Sequence, residues 1–206
     1  MRRWRASPAT DLPPSSPTPL RVLGVDPGSV VAGWGMVSQR GNAVSLIASG
    51  LLRPSRTEEL PARLAHLHRE LAAVLEEHTP DAVAVESVFT ARHARSALVL
   101  GHARGVLLLA AAQRELPIYE YAPAAVKKAV TGDGRANKDQ VRKMVQLLLG
   151  ATFDGPADRS DALAVAICHA QVGRFAGKLA ELHKSQKRAG RGPRRHPALR
   201  LKQKGS

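Results

Sequence analysis

The segment LRVLGVDPGSVVAGWGMVSQRGNAVSLIASGLLR, residues 20–53, decides the architecture. It holds three short apolar runs separated by two turn signals. In Asp26-Pro27-Gly28, Asp initiates a turn, Pro presets φ at the first central position and Gly accepts positive φ without steric cost. Gly41-Asn42, between the second and third runs, predicts a tight hairpin. Three strands in direct succession predict an antiparallel meander.

Working outward, TEELPARLAHLHRELAAVLEEH repeats Leu60, Leu64, Leu67, Leu71 and Leu75 at helical spacing and predicts an amphipathic helix. DAVAVE, residues 81–86, is a short continuous apolar strand of the kind buried on both faces, and it ends on a charge. RSALVLGHARGVLLLAAAQREL predicts a long apolar helix with small residues at Gly101, Ala103 and Gly105, where a second helix can approach closely. PIYEY is a fifth strand. APAAVKKAV and NKDQVRKMVQLLLG are helices on either side of the loop TGDGRA, and ADRSDALAVAICHA, residues 157–170, is the last helix. This order predicts an α/β fold with a five-stranded sheet of mixed direction, flanked by helices on both faces. No internal repeat is present.

The chain has 206 residues, of which 44% are hydrophobic, enough for one domain with a real core. The expected organisation is an N-terminal extension over 1–19, a domain over 20–171 and a basic tail over 172–206. Formal charge is +14, and the tail carries eleven basic residues against one acidic. Such a run binds polyanions, nucleic acid before membrane because no amphipathic pattern accompanies it; a solvated solubility tail is the alternative. The single cysteine, Cys168, excludes an internal disulfide, and without Cys/His pairs at zinc spacing a zinc site is not expected. The N-terminal twenty residues lack the apolar core of a secretory signal, and no apolar run is expected to reach the ~20 residues that span a bilayer. A cytoplasmic, non-membrane protein is the resulting expectation.

Four carboxylates fall at the ends of elements. Asp26 closes the first strand, Glu86 closes the fourth, and Asp158 and Asp161 open the last helix three residues apart, on one face. In open α/β sheets, sites form beyond the strand ends where strand order switches, so neighbouring first and fourth strands would bring these acids together. Each has a plainer reading. Asp26 starts a turn, Glu86 marks where a buried strand reaches water, and Asp158 with an acid three residues later is ordinary helix-start chemistry. Four acids converging would nonetheless repel unless a hard divalent cation neutralised them, and oxygen ligands favour Mg²⁺ or Mn²⁺. Two such ions can activate a water and stabilise the leaving oxygen of a phosphodiester.

The run VESVFTARHARSALVLGHARGVLLLAAAQRELPIYEYAPAAVKKAVTGDGRANKDQVRKMVQLLLG, with GVDPGS and DALAVAICHA, resembles the RuvC family of Holliday-junction resolvases, members of the ribonuclease H-like superfamily. The resemblance covers about residues 20–171, and its motifs recur together in the same order. It implies a ribonuclease H-like fold, with Asp26, Glu86, Asp158 and Asp161 as catalytic, metal-binding carboxylates for two Mg²⁺ ions, Mn²⁺ being possible. It implies that Phe89 stacks on an unpaired base and that Lys127 and Lys138 bind DNA near the site, with Arg92, Arg95 and Arg135 as further DNA-binding candidates. Asn137, with Gln140 three residues on, also predicts a capped helix start able to receive a phosphate beside Lys138. Phe89 as core packing, and Lys127 and Lys128 as solvated helix charges, are the alternatives. His93, His102 and His169 are read as structural or surface residues.

The chain departs from the family where many members read KNADSALKLGQARG and this one reads RHARSALVLGHARG. Arg95 replaces an acid, Val99 a lysine and His102 a glutamine, which bears on DNA contacts and dimer packing along that helix. The position of Asp158 is histidine in some members. By resemblance, the function is structure-selective cleavage of four-way DNA junctions by a homodimer in recombination and repair, with a branch-migration helicase complex as partner. A non-catalytic junction-binding scaffold and a ribonuclease H-like nuclease with another nucleic-acid substrate are the alternatives. An actin-like ATPase is disfavoured by length, since that fold needs a second such domain.

Overall fold

A computed structural model describes residues 18–28, 30–87, 94–152 and 159–172. Strand β1 (Leu20–Asp26), β2 (Ala32–Arg40) and β3 (Ala43–Leu52) form the expected antiparallel meander. Gly41, with φ at +60°, sits in the two-residue turn between β2 and β3, the left-handed geometry that Gly tolerates without strain. Helix α1 (Leu60–His78) leads to β4 (Ala82–Glu86), then α2 (Ala94–Ala112), β5 (Ile118–Tyr121), α3 (Pro123–Thr131) and α4 (Lys138–Leu149). Residues 159–172 form a last helix, α5.

The sheet order is β3-β2-β1-β4-β5, with β1 parallel to β4 and β4 parallel to β5. The sheet is therefore of mixed direction, with its centre at the β1–β4 pair. Strand alternation sorts side chains to two faces. Leu23, Val25, Met36, Val83 and Val85 pack with Leu67, Leu71 and Leu75 of α1 and with Ala103, Leu107, Ala110 and Ala111 of α2. On the other face Val22, Val37 and Ala84 pack with α5, and α5 is covered in turn by Val126 and Val130 of α3 and Val141 and Val145 of α4. Every residue from 162 to 170 is buried, which explains why α5 is apolar all round rather than along one stripe.

Helix α2 corrects one expectation. In length and composition it is apolar enough to cross a bilayer. Part of that hydropathy serves the core, and Arg104 points to β5, where its guanidinium pairs with Glu120 at 2.6 Å. Leu98 and Leu109 remain 64% and 50% exposed on its outer side, beside Gly101 and Gly105.

The α3–α4 loop is held by side chains. Thr131 Oγ1 donates to Lys127 O, and Asp133 Oδ1 accepts from Arg135 N at 2.9 Å. The capping box at the start of α4 forms as expected: Asn137 Oδ1 accepts from Gln140 N and Gln140 Oε1 from Asn137 N, each at 2.9 Å. Asn137→Ala should lower stability by about 1 kcal/mol, read as a fall in Tm. An unchanged Tm would show that the loop bonds alone fix this helix start.

The predicted extension (1–19) and tail (172–206) lie almost wholly outside the described residues, as do Phe89, Arg92, His93 and Asp158.

Candidate active site

Two neighbouring parallel strands bring the first pair of acids together. Val25 stands opposite Val85 in the β1–β4 register, so Asp26 and Glu86 leave the sheet side by side at its carboxyl edge. Alternation turns both toward α5: Gly24 and Ala84, two residues earlier, lie on that face. The Asp26 and Glu86 side chains are hydrogen-bonded to each other.

The third acid, Asp161, comes from the first turn of α5. Its Oδ2 accepts from Lys138 Nζ at 3.1 Å, with Asp161 19% exposed and Lys138 73% exposed. Lys138 reaches it from the first position of α4, which the capping box fixes. Burial pushes the Glu86 carboxyl above the usual carboxylate range, and the nearby Asp161 charge adds to this. The hydrogen bond from Asp26 and the charges of Lys138 and Lys127 oppose it, in that order. Burial and the Asp161 charge together outweigh these opposing contacts.

Of the predicted residues, Asp26, Glu86, Asp161, Lys127 and Lys138 therefore converge. Arg95 is exposed in the first turn of α2, and Arg135 is exposed in the α3–α4 loop. Phe89, Arg92 and Asp158 lie outside the described residues, so the structure gives them no place. Among the described residues no three His, Cys, Asp or Glu side chains lie close enough to form a ready cage for a metal ion. The donor chemistry nonetheless fits a hard divalent cation. All the candidate donors are oxygen.

Two supporting features escaped sequence reasoning. Arg159, at the head of α5, donates from Nη2 to Ser49 Oγ at 3.0 Å and to Ser49 O at 3.4 Å, tying the helix start to β3. Deeper in α5, His169 is fully buried, with Nδ1 2.8 Å from the Tyr121 hydroxyl and its ring 4.3 Å from that of Tyr119. Burial lowers its pKa to about 4, so it is neutral at pH 7. This agrees with its reading as structural. Burial likewise pushes the Cys168 thiol up to about 12, an inert core position.

The family model described as "Crossover junction endodeoxyribonuclease RuvC" matches residues 22–169. Curated relatives with that description include one from Myxococcus xanthus, 54% identical over 76% of this chain and 83% of its own length. Another, from Geotalea uraniireducens, is 42% identical over 78% of this chain and 94% of its own. Among solved structures, Thermus thermophilus RuvC in complex with a Holliday junction substrate superposes with a TM-score of 0.73 at 35% identity, over 77% of this chain and 97% of that one. A yeast mitochondrial Holliday junction resolvase superposes with a TM-score of 0.59 at 18% identity, a likeness of fold alone.

Proposed function

The chain belongs to the RuvC family of crossover junction endodeoxyribonucleases, and from that premise we propose how its own residues cut a four-way DNA junction in recombination and repair. The observation that carries the reading is the approach of Asp26, Glu86 and Asp161 at one sheet edge, with Lys138 in contact with Asp161. We assign these three acids, with Asp158 as the fourth, as ligands of Mg²⁺ or Mn²⁺, two ions per site. When bound, such a cation supplies a water activated at neutral pH and charge compensation at the leaving oxygen.

The remaining work falls to the protein. Asp26 and Glu86, at the ends of neighbouring strands, stand side by side. Lys138, largely exposed and long enough to move between partners, takes a phosphate oxygen of the strand to be cut, and Lys127 adds positive charge beside Glu86. Phe89 stacks on an unpaired base near the branch point, a contact worth roughly 1–3 kcal/mol. Arg92, Arg95 and Arg135 contact the phosphate backbone and position the arms. The stripe of Leu98, Gly101, Gly105 and Leu109 along α2 is the proposed homodimer face, since a two-fold dimer matches a two-fold junction and cuts two strands symmetrically. A branch-migration helicase complex is the proposed partner by family analogy, with action in the cytoplasm.

A synthetic mobile four-way junction tests this reading. Wild-type protein should make paired cuts at the branch point in Mg²⁺ or Mn²⁺ and none in EDTA, while Asp26→Asn should bind the junction and leave it intact. Binding without metal-dependent cuts would favour the scaffold reading. Equal cutting of RNA–DNA hybrids or flaps would favour another nuclease, and wild-type cutting by Asp26→Asn would overturn the ligand assignment.

A further inference from the structure

Gly24 of β1 and Gly35 of β2 stand opposite each other in the antiparallel register, on the face that α5 covers. Neither takes a left-handed φ, so the conformation alone does not demand glycine; the space does. A Cβ at Gly24 would lie 2.1 Å from Ala162 O, 2.7 Å from Ala166 N and 2.9 Å from Ala166 Cβ. At Gly35 it would lie 2.6 Å from Leu163 Cγ and Cδ2 and 3.0 Å from Leu163 N. The atoms facing Gly24 are largely helix backbone, which has no rotamer to move aside.

This contact lies beside the carboxylates. Ala162 follows Asp161 directly, and Asp26 lies two residues beyond Gly24 on the same strand face. We propose that the Gly24–Gly35 pair is a positioning element of the active site, a flat seat that sets how deeply α5 sits and hence how far Asp161 stands from Asp26 and Glu86. The inference rests on the reading of these acids as cation ligands. An ordinary van der Waals contact begins at 3.4 Å, so a methyl group at Gly24 lifts α5 by about 1 Å. Ligand distances at a metal hold to within about 0.2 Å, and a misplacement of about 1 Å can cost about a hundredfold in rate.

The test uses the full chain with Gly24→Ala, Gly35→Ala and the double variant Gly35→Ala/Leu163→Ala. Mn²⁺ affinity is measured by titration calorimetry, alongside far-UV circular dichroism, Tm, junction binding in EDTA and the Mg²⁺ dependence of cleavage. Gly35→Ala should remain folded and bind the junction normally in EDTA, yet bind Mn²⁺ about tenfold or more weakly, with the Mg²⁺ midpoint for cleavage shifted the same way. In the double variant, removal of the Leu163 branch makes room for the new methyl group. Mn²⁺ affinity should recover while Tm falls further from the lost core packing, a divergence that a purely structural role would not produce. If Gly24→Ala fails to fold, the Gly35 pair of variants decides alone. Wild-type Mn²⁺ affinity in folded Gly35→Ala, or a loss that persists in the double variant, overturns the seat and leaves the ligand reading standing. Wild-type protein that binds no Mn²⁺ overturns the ligand reading, and the seat with it.

Discussion

Glu86→Gln is expected to reduce junction cleavage by at least about a hundredfold, since even outer partners of metal ligands contribute 10- to 100-fold, and to raise the Tm of the metal-free protein. The two effects share one cause. Burial and the Asp161 charge hold the Glu86 carboxyl above its ordinary pKa of 4.5. Between that value and the raised one the folded state binds a proton that the unfolded state lacks. Stability therefore falls as pH rises through this window, and above it the whole penalty of an ionised Glu86 is present. Gln carries no charge, so the Tm gain should be full above the raised pKa and fade on acidification below it. Added Mg²⁺ or Mn²⁺ should reverse the order, because a cation that binds only the folded wild type stabilises it by mass action. Thermal melts from pH 4 to 8, with and without metal, read both signs. A variant that is less stable than wild type at pH 7 without metal would show that the site is not under electrostatic strain.

The second large effect concerns His169. Its neutral ring lies fully buried between Tyr119 and Tyr121, with a pKa lowered to about 4 from 6.5. As pH falls from 6.5 to about 4, the unfolded chain takes up a proton that the folded chain refuses, so stability falls across that window. Roughly 2.5 pH units at about 1.4 kcal/mol each amount to about 3.5 kcal/mol. His169→Gln keeps a partner for the Tyr121 hydroxyl and loses the ring, so it should be the less stable protein at pH 7. The gap in Tm between the two should narrow steadily toward pH 4, because only wild type has a buried base to charge. Parallel Tm profiles would show that acid unfolding begins elsewhere.

Local sequence carried much of this molecule plainly. Gly41-Asn42 between two apolar runs could only be a short turn, and Asn137 with Gln140 declared the start of α4; both depend on contacts within a few residues. The leucine series of α1 likewise named its inner face, with Leu67, Leu71 and Leu75 buried as the spacing requires. In α2 periodicity was silent, because an almost uniformly apolar helix has no polar face to contrast with. The structure turns Ala103, Leu107, Ala110 and Ala111 inward and leaves Leu98 and Leu109 outside. The same uniformity gave α2 a hydropathy sufficient for a membrane, which composition read in short runs did not anticipate.

The candidate site divides along the same line. Sequence determined that Asp26 and Glu86 end strands and that Asp161 opens a helix, since each statement needs only the residues around it. That the first and fourth strands are neighbours, in a register that sets Asp26 beside Glu86, is a property of the sheet. Gly24 and Gly35 read along the chain as weak points in two strands; their meaning comes from a helix about 130 residues further on, resting on them. The raised pKa of Glu86 and the neutrality of His169 likewise follow from burial and neighbours brought from distant segments. Periodicity and turn chemistry act over a few residues and survive in a one-dimensional reading, whereas close approach, desolvation and charge coupling depend on distances that exist only once the chain has packed.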